Sequence, residues 1–308
     1  MINSPLVSVI MNCYNSEAYL KEAIDSVYAQ TYPNWEIIFW DNASTDNSAS
    51  IAQEYDARLK YFRGNETVAL GAARNKALAK ATGEFIAFLD CDDVWMPEKL
   101  EKQIPLFLSD DKVVLVYSDV IYFNLEGQQK QFFKNKATPV GYCFSELLTN
   151  YFLTLSTSVI RYNALITQPY WFMEELKLSE EAELFLRLAY SGKLVVAHEI
   201  LAKYRIHKES LSFKECDLFF SEMEIILDNF RNIYADFDVK FKDELNVLRI
   251  KQLRRKALYY LFSGEKRAAR KMLYPHLYNR TILSTLIFTW FPIWLAEYVR
   301  KWKTARIN

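Results

Sequence analysis

The chain has 308 residues, 51% hydrophobic and 25% charged, with 38 Lys and Arg balancing 38 Asp and Glu. Such a composition supports a buried core and excludes a disordered chain, and the balance of charge leaves no overall field to recruit nucleic acid. The seven glycines make neither a G-x-G nor a G-x-x-x-x-G-K, which disfavours a standard Rossmann dinucleotide site and a P-loop. Three scattered histidines and four widely spaced cysteines (Cys13, Cys91, Cys143, Cys216) point away from a multi-histidine zinc site and a disulfide framework. The thiols read as reduced ones in a cytoplasmic protein.

The opening MINSPLVSVIMN has no positive n-region and does not read as a signal peptide. Leu6–Met11 is a short apolar run and predicts a buried strand. Asn15 and Ser16 offer a cap for a helix over Ala18–Ala29. Trp35–Trp40 predicts a second buried strand, Asp46–Tyr55 a helix, Leu59–Phe62 a short strand and Gly71–Ala81 an Ala-rich helix. Phe85–Leu89 is a further apolar strand, and Pro97 opens a helix at its first turn, where proline is tolerated. Strands apolar on both faces, alternating with helices, predict a mostly parallel sheet covered by helices on both sides, an α/β fold.

Beyond about residue 112 the rhythm changes. Val113–Val120 reads as a strand, Glu126 and Gly127 as a hairpin-like turn and Gln129–Lys134 as its return. Glu180–Tyr190 reads as an amphipathic helix and Leu194–Tyr204 as a strand. From about 214 onward the pattern is helical. Residues 240–308 carry sixteen Lys and Arg against four Asp and Glu, a surplus of twelve positive charges.

Two strands end in polar clusters, DNASTDNS at 41–48 and DCDD at 90–93. In open α/β sheets, ligands bind beyond the carboxyl ends of the strands. Asp90, Asp92 and Asp93 repel one another unless a cation sits among them, and a hard divalent ion, Mg²⁺ or Mn²⁺, is the natural partner. The alternative is an Asp-rich turn capping the helix that follows Pro97.

Four blocks, in order, carry a family resemblance: VSVIMNCYNSEAYLKEAIDSVYAQTYPNWEIIFWDNASTDNS, LGAARNKALAKATGEFIAFLDCDDVWMPEKL, LSEEAELFLRLA at 178–189 and YRIHKESLS at 204–212. Together they resemble family 2 glycosyltransferases over roughly the first 212 residues. The resemblance implies a GT-A fold, a nucleotide-diphosphate sugar donor, a divalent metal and inversion at the anomeric carbon. It divides the chain into a glycosyltransferase domain at 1–212 and a helical C-terminal extension at 213–308. Within the domain, 1–112 would be the nucleotide-sugar-binding half and 113–212 the acceptor side.

Residue by residue, Asp92 matches the metal-binding aspartate of the family's D-x-D motif, and Asp90 its first aspartate, near the ribose or the metal shell. Asp93 reads equally as a structural cap. Asp41 and Asn42 match the pair that holds the nucleoside, with Asn at the second position still able to donate and accept hydrogen bonds. Asn12, Cys13 and Tyr14 stand where Pro-Thr-Tyr is more usual, with Asn12 and Tyr14 on the donor side and Cys13 expected to be buried and unreactive. Ser44 and Asp46 read as caps of the next helix. Arg74 resembles a donor-pocket residue, with a structural ion pair as the alternative.

Glu181, six residues before Arg187, matches the catalytic base, which takes the proton from the acceptor hydroxyl. The family usually has Asp there, and Glu is one methylene longer. The alternative is an acidic helix start with Glu183 and Arg187 as an i,i+4 pair. His207 matches a histidine near the diphosphate, as metal ligand or phosphate donor. Arg205, Ser210 and Ser212 beside it would add phosphate contacts. His198 and His276 read as structural.

In the C-terminal third, 258–273 reads as two short helices turning at Ser263 and Gly264. Residues 281–296 carry no charge but span only ~24 Å as a helix, short of a ~30 Å hydrocarbon core, and Pro292 interrupts them. Trp290, Trp294 and Trp302, with Arg300, Lys301, Lys303 and Arg306, suit peripheral contact of 281–306 with the cytoplasmic face of the inner membrane. The alternative is a helix closing the core. The expected protein is thus an inverting, metal-dependent glycosyltransferase acting on a glycan or lipid-linked acceptor in bacterial surface polysaccharide or lipopolysaccharide synthesis. The alternative is a catalytically inactive GT-A module that binds nucleotide or glycan as a scaffold.

Overall fold

Apolar residues on both faces of the first strands bury them completely. In β1 (Val7–Cys13), Val7, Val9, Met11 and Cys13 join one core, while Ser8 and Ile10 are buried on the other face. Helix α1 (Glu17–Tyr28) fills that first core with Leu20, Ala23, Ile24 and Val27, an i, i+3, i+4, i+7 stripe. The computed structural model describes residues 4–134, 136–207 and 218–292. Its chain forms two compact units, 1–147 with 151–222, and 148–150 with 223–308.

The first unit is a nine-stranded sheet. Strand β2 (Trp35–Asp41), helix α2 (Ser48–Gln53), β3 (Leu59–Arg63), α3 (Leu70–Leu78) and β4 (Phe85–Phe88) follow in chain order, with β3, β2, β1 and β4 side by side and parallel. Buried Gly71, Ala72, Ala73 and Ala77 let α3 lie close against β1 and β2. At Gly83 a side chain has no room: a Cβ would meet Ser8 N at 2.6 Å and Leu6 O at 2.8 Å.

Past β4 the sheet becomes mixed. The two-residue β5 (Val94–Trp95), α4 (Lys99–Leu108), β6 (Val113–Asn124), β7 (Gln129–Gln131), α5 (Phe144–Thr149), β8 (Val159–Arg161), α6 (Tyr162–Ile166), α7 (Glu180–Ser191) and β9 (Lys193–Ile206) complete it. β8 lies antiparallel between β4 and β6, β9 runs parallel to β6, and β5 is antiparallel to β9. The fold is the expected α/β sheet flanked by helices. The short β5 and β8 carry too few residues to show a period and went unpredicted. α4 begins at Lys99, two residues after Pro97, and accommodates Pro105.

Helix α8 (Leu218–Ile233) starts in the first unit and continues into the second. The second unit adds the short α9 (Phe237–Lys240), α10 (Lys242–Phe262), α11 (Lys266–Leu273) and α12 (Arg280–Phe288). α10 and α11 turn at Ser263 and Gly264, where Gly264 has φ +87°. Ala257, Ala269, Leu273, Ile282 and Leu286 form a small core of their own. No helix among the described residues is long and apolar enough to cross a membrane.

A candidate active site at the strand ends

Register brings the polar strand ends together. Cys13 pairs with Asp41 between β1 and β2, and Ile10 with Phe88 between β1 and β4, so Asn12–Tyr14, Asn42 and Asp90–Asp92 emerge along one sheet edge. β9 runs past β5 (Val94 opposite Lys203) and delivers His207 to the same edge. A cleft of about 1280 Å³ opens there. Asn12, Tyr14, Asn42, Arg74, Asp90, Asp92, Glu181 and His207 all line it, whereas Asp41 and Arg205 do not.

Asp92 Oδ2 lies 2.8 Å from His207 Nε2, both side chains partly open to the cleft. Asp93 turns the other way. It is buried, accepts from Ser156 Oγ and, at 2.9 Å, from the Arg205 amide, so it ties the turn to β9, and burial pushes its carboxyl well above the usual range. Arg205 does not reach the cleft. Its guanidinium sits between the rings of Tyr19 and Phe123 and donates to Asp92 O at 2.8 Å and Glu22 at 2.5 Å. It therefore holds the backbone of the aspartate that faces His207. Ser210 and Ser212 lie outside the described residues.

Arg74 is the buried hub. From α3 it donates to Asp90 at 3.1 Å, is paired with Glu180 and comes within 3.9 Å of Glu181. Burial raises the carboxyl pKa of Asp90 and of Glu180 against the pull of Arg74. The two glutamates that open α7 diverge: Glu180 is buried against Arg74, whereas the Glu181 side chain keeps 27% exposure on the cleft wall. Desolvation, opposed by Arg74 and assisted by Glu180 and Asp90, pushes Glu181 up to about 8. Glu183 and Arg187 form the expected i,i+4 pair, fully buried at 2.7 Å.

The nucleoside-side residues are differently engaged. Asp41 is buried and accepts from Tyr61 Oη at 2.6 Å, the Ser44 amide at 2.7 Å and Arg63. The Asn42 amide exchanges two hydrogen bonds with the backbone of Val68, at 2.8 and 3.1 Å, and so shapes the cleft wall. Asn12 Nδ2, by contrast, is buried without a partner in the cleft lining. Tyr14 is exposed beside it. Asp46 caps two helices at once, accepting from the amides of Ser48 and Glu17 at 3.0 Å. Asn15 (φ 50°), in the cleft lining, and Ala43 (φ 62°), next to Asn42, hold left-handed backbone of the kind that concentrates at functional sites. Cys13 is buried as expected, and a hydrogen bond with Cys91, working against burial, lowers its thiol to about 7.

The sequence pattern of the family "Glycosyl transferase family 2" matches residues 8–167, which contain β1 from its second residue, β2–β4, the aspartate turn and Arg74. The chain belongs to glycosyl transferase family 2. It is 33% identical to the UDP-Glc:alpha-D-GlcNAc-diphosphoundecaprenol beta-1,3-glucosyltransferase WfgD of Escherichia coli, over 68% of this chain and 82% of that one. It is 43% identical to the putative teichuronic acid biosynthesis glycosyltransferase TuaG of Bacillus subtilis over 34% of this chain and 42% of that one. Its fold matches the crystal structure of S. aureus TarS 1-349 in complex with UDP-GlcNAc, with a TM-score of 0.60 at 21% identity, covering 96% of this chain and 91% of that one. As a family 2 enzyme it is a glycosyltransferase, and its sheet is the GT-A sheet of TarS. Glu181, His207 and Glu222 lie outside the matched span. The last, buried on α8 and bonded to the start of α7, had no signal in the sequence.

Proposed function

We propose that this family 2 enzyme transfers a sugar, with inversion, from a nucleoside-diphosphate sugar to a hydroxyl of a glycan or lipid-linked acceptor in bacterial surface polysaccharide or lipopolysaccharide synthesis. Its main support is that Asp92 with His207, Arg74 with Asp90, and the outward-facing Glu181 all meet in one cleft. The relative WfgD, a glucosyltransferase acting from UDP-Glc on a diphosphoundecaprenol-linked sugar, supports these donor and acceptor classes.

Asp92 and His207 fit a divalent ion, Mg²⁺ or Mn²⁺. The Asp92 carboxylate and the His207 imidazole, 2.8 Å apart and both open to the cleft, would hold it. Among the described residues no cluster of three or more His, Cys, Asp or Glu is placed to hold a metal, so the proposed ion would take its remaining ligands from diphosphate oxygens and water. When bound, the ion would offset charge growing on the departing nucleoside diphosphate. The protein supplies the remaining steps. Asn12 Nδ2 offers a desolvated donor to the nucleoside. Arg74 holds Asp90 and Glu180 so that their charges do not oppose the donor. Glu181 takes the proton of the acceptor hydroxyl as its oxygen attacks the anomeric carbon from the side opposite the leaving group.

In the second unit, Leu283 and Ile287 on α12 and Trp290 and Phe291 just past its end are exposed by 42, 54, 62 and 43%. Arg270 stacks on Trp290 at 3.7 Å and Lys266 bonds Phe291 O. An apolar stripe edged by cations suits peripheral contact with an anionic membrane, where a lipid-linked acceptor is presented. Trp294, Trp302, Arg300, Lys301, Lys303 and Arg306 lie outside the described residues.

The test is UDP release from UDP-glucose or UDP-N-acetylglucosamine with Mn²⁺ and a diphosphoundecaprenol-linked sugar, for wild type, Asp92→Ala and Glu181→Gln. Wild type alone should turn over. Equal rates in all three would overturn the proposal.

A further inference from the structure

Helix α7 opens on Glu180 and Glu181, yet its own cap is unused: Ser179 makes no capping bond and its Oγ is buried without a partner. The preceding backbone is held instead by a carboxylate distant in sequence. Glu222, at the start of α8 and only 4% exposed, accepts from Lys177 N at 2.6 Å, from Leu178 N at 3.1 and 3.3 Å, and from Ser179 N at 2.8 Å. Three successive amides thus converge on one buried anion. Lys177 and Leu178 line the same cleft as Glu180 and Glu181.

We infer that Glu222 is a positioning residue for the carboxylate of Glu181, fixing the backbone from which it projects into the cleft. It rests on the proposed role of Glu181 as base. The physical reason is directional. A carboxylate offers acceptors only, on two oxygens, and so satisfies three donors that point at it. Charge-assisted bonds of this kind are the stronger ones, and negative charge ahead of a helix N-terminus is favoured by the helix dipole. With 177–179 clamped, Glu181 leaves the first turn of α7 in one direction. Without the clamp, those amides would lose their acceptor and the turn would re-orient. Displacement of a catalytic group by about an ångström costs on the order of 100-fold in rate. Glu222 does not line the cleft; it reaches the site through the backbone of 177–179 and through its charge beside Glu180.

The full-length protein tests this with Glu222→Gln, which keeps the shape but turns one acceptor into a donor facing a donor. Turnover is read as UDP released from UDP-glucose or UDP-N-acetylglucosamine, and UDP affinity by calorimetry. Glu222→Gln should lower kcat ~10-fold or more while donor KM and UDP affinity stay at wild-type levels. Glu222→Asp, which keeps the charge, should recover part of the loss, and it carries the comparison if the Gln variant does not fold. Combined with Glu181→Gln, it should add nothing to the loss that Glu181→Gln causes alone. A wild-type kcat for Glu222→Gln, a parallel loss of UDP affinity, or multiplying losses in the double variant would overturn the inference. A Glu181→Gln rate equal to wild type would instead remove the base itself.

Discussion

Asp92 Oδ2 and His207 Nε2 lie 2.8 Å apart across 115 residues of sequence. The contact joins the turn after β4 to the end of β9, two elements that neighbour no common strand. β5, only two residues long, makes it: it leaves the aspartate turn and pairs with β9 four and five residues before His207. Arg205 then locks the Asp92 carbonyl.

If Asp92 and His207 hold the proposed divalent ion, removing either should uncouple it. We expect Asp92→Asn and His207→Ala each to lose more than about 100-fold in activity, the scale of a several kcal/mol Lewis-acid contribution. EDTA should abolish wild-type turnover and added Mn²⁺ or Mg²⁺ restore it. Wild-type activity surviving in EDTA would refute a metal-assisted step.

The Glu181 carboxyl sits at about 8, above its ordinary 4.5. As the proposed base it must be deprotonated, so kcat/KM should rise with pH and level off above about 8. Stability carries the opposite sign. A raised acid pKa favours the folded state below 4.5, and that advantage is lost as pH climbs to about 8. Glu181→Gln should therefore melt increasingly above wild type across that window. Identical melting curves from pH 5 to 9 would contradict the raised carboxyl pKa of Glu181.

Lys99 is fully buried, donates to Gln103 and, at 3.3 Å, to Thr157 O, and desolvation drives its pKa well below 10.5. Among the described residues no carboxylate pairs with it. Because the unfolded chain binds this proton more readily, stability should increase with pH up to about 10.5. Lys99→Met should remove that slope and raise the melting temperature at pH 7, since an apolar side chain of similar length avoids the desolvation cost. Denaturant melts at pH 7 and 9 measure both effects.

Gly83→Ala places a Cβ against backbone atoms of Ser8 and Leu6, which cannot rotate away. Overpacking of this kind costs about 1–3 kcal/mol, read as a drop of several degrees in the melting temperature. An unchanged melting temperature would mean that β1 and β4 shift apart freely.

Membrane contact is checked by sedimentation with anionic and neutral vesicles. Ile287→Ser with Trp290→Ser should abolish binding to anionic vesicles and leave turnover of a water-soluble acceptor unchanged. Binding that survives both substitutions would place the contact elsewhere.

The sequence by itself determined the first half of the fold. β1, β2 and β4 are continuous apolar runs, and a strand buried on both faces announces itself by composition alone. Their ends are marked by Asp41 and Asp90, and the identity of the motif residues named the family. Tertiary structure decided how those residues are used. Both functional groups of the Asn42 side chain are taken up by Val68, and Arg205 is turned away from the cleft between Tyr19 and Phe123. Of two adjacent glutamates, the helix phase of α7 buries Glu180 on Arg74 and leaves Glu181 on the cleft. The Glu222 clamp was invisible for the same reason. Hydrogen bonds to backbone amides leave no pattern in the sequence of their donors, so only the folded chain reveals which carboxylate they hold.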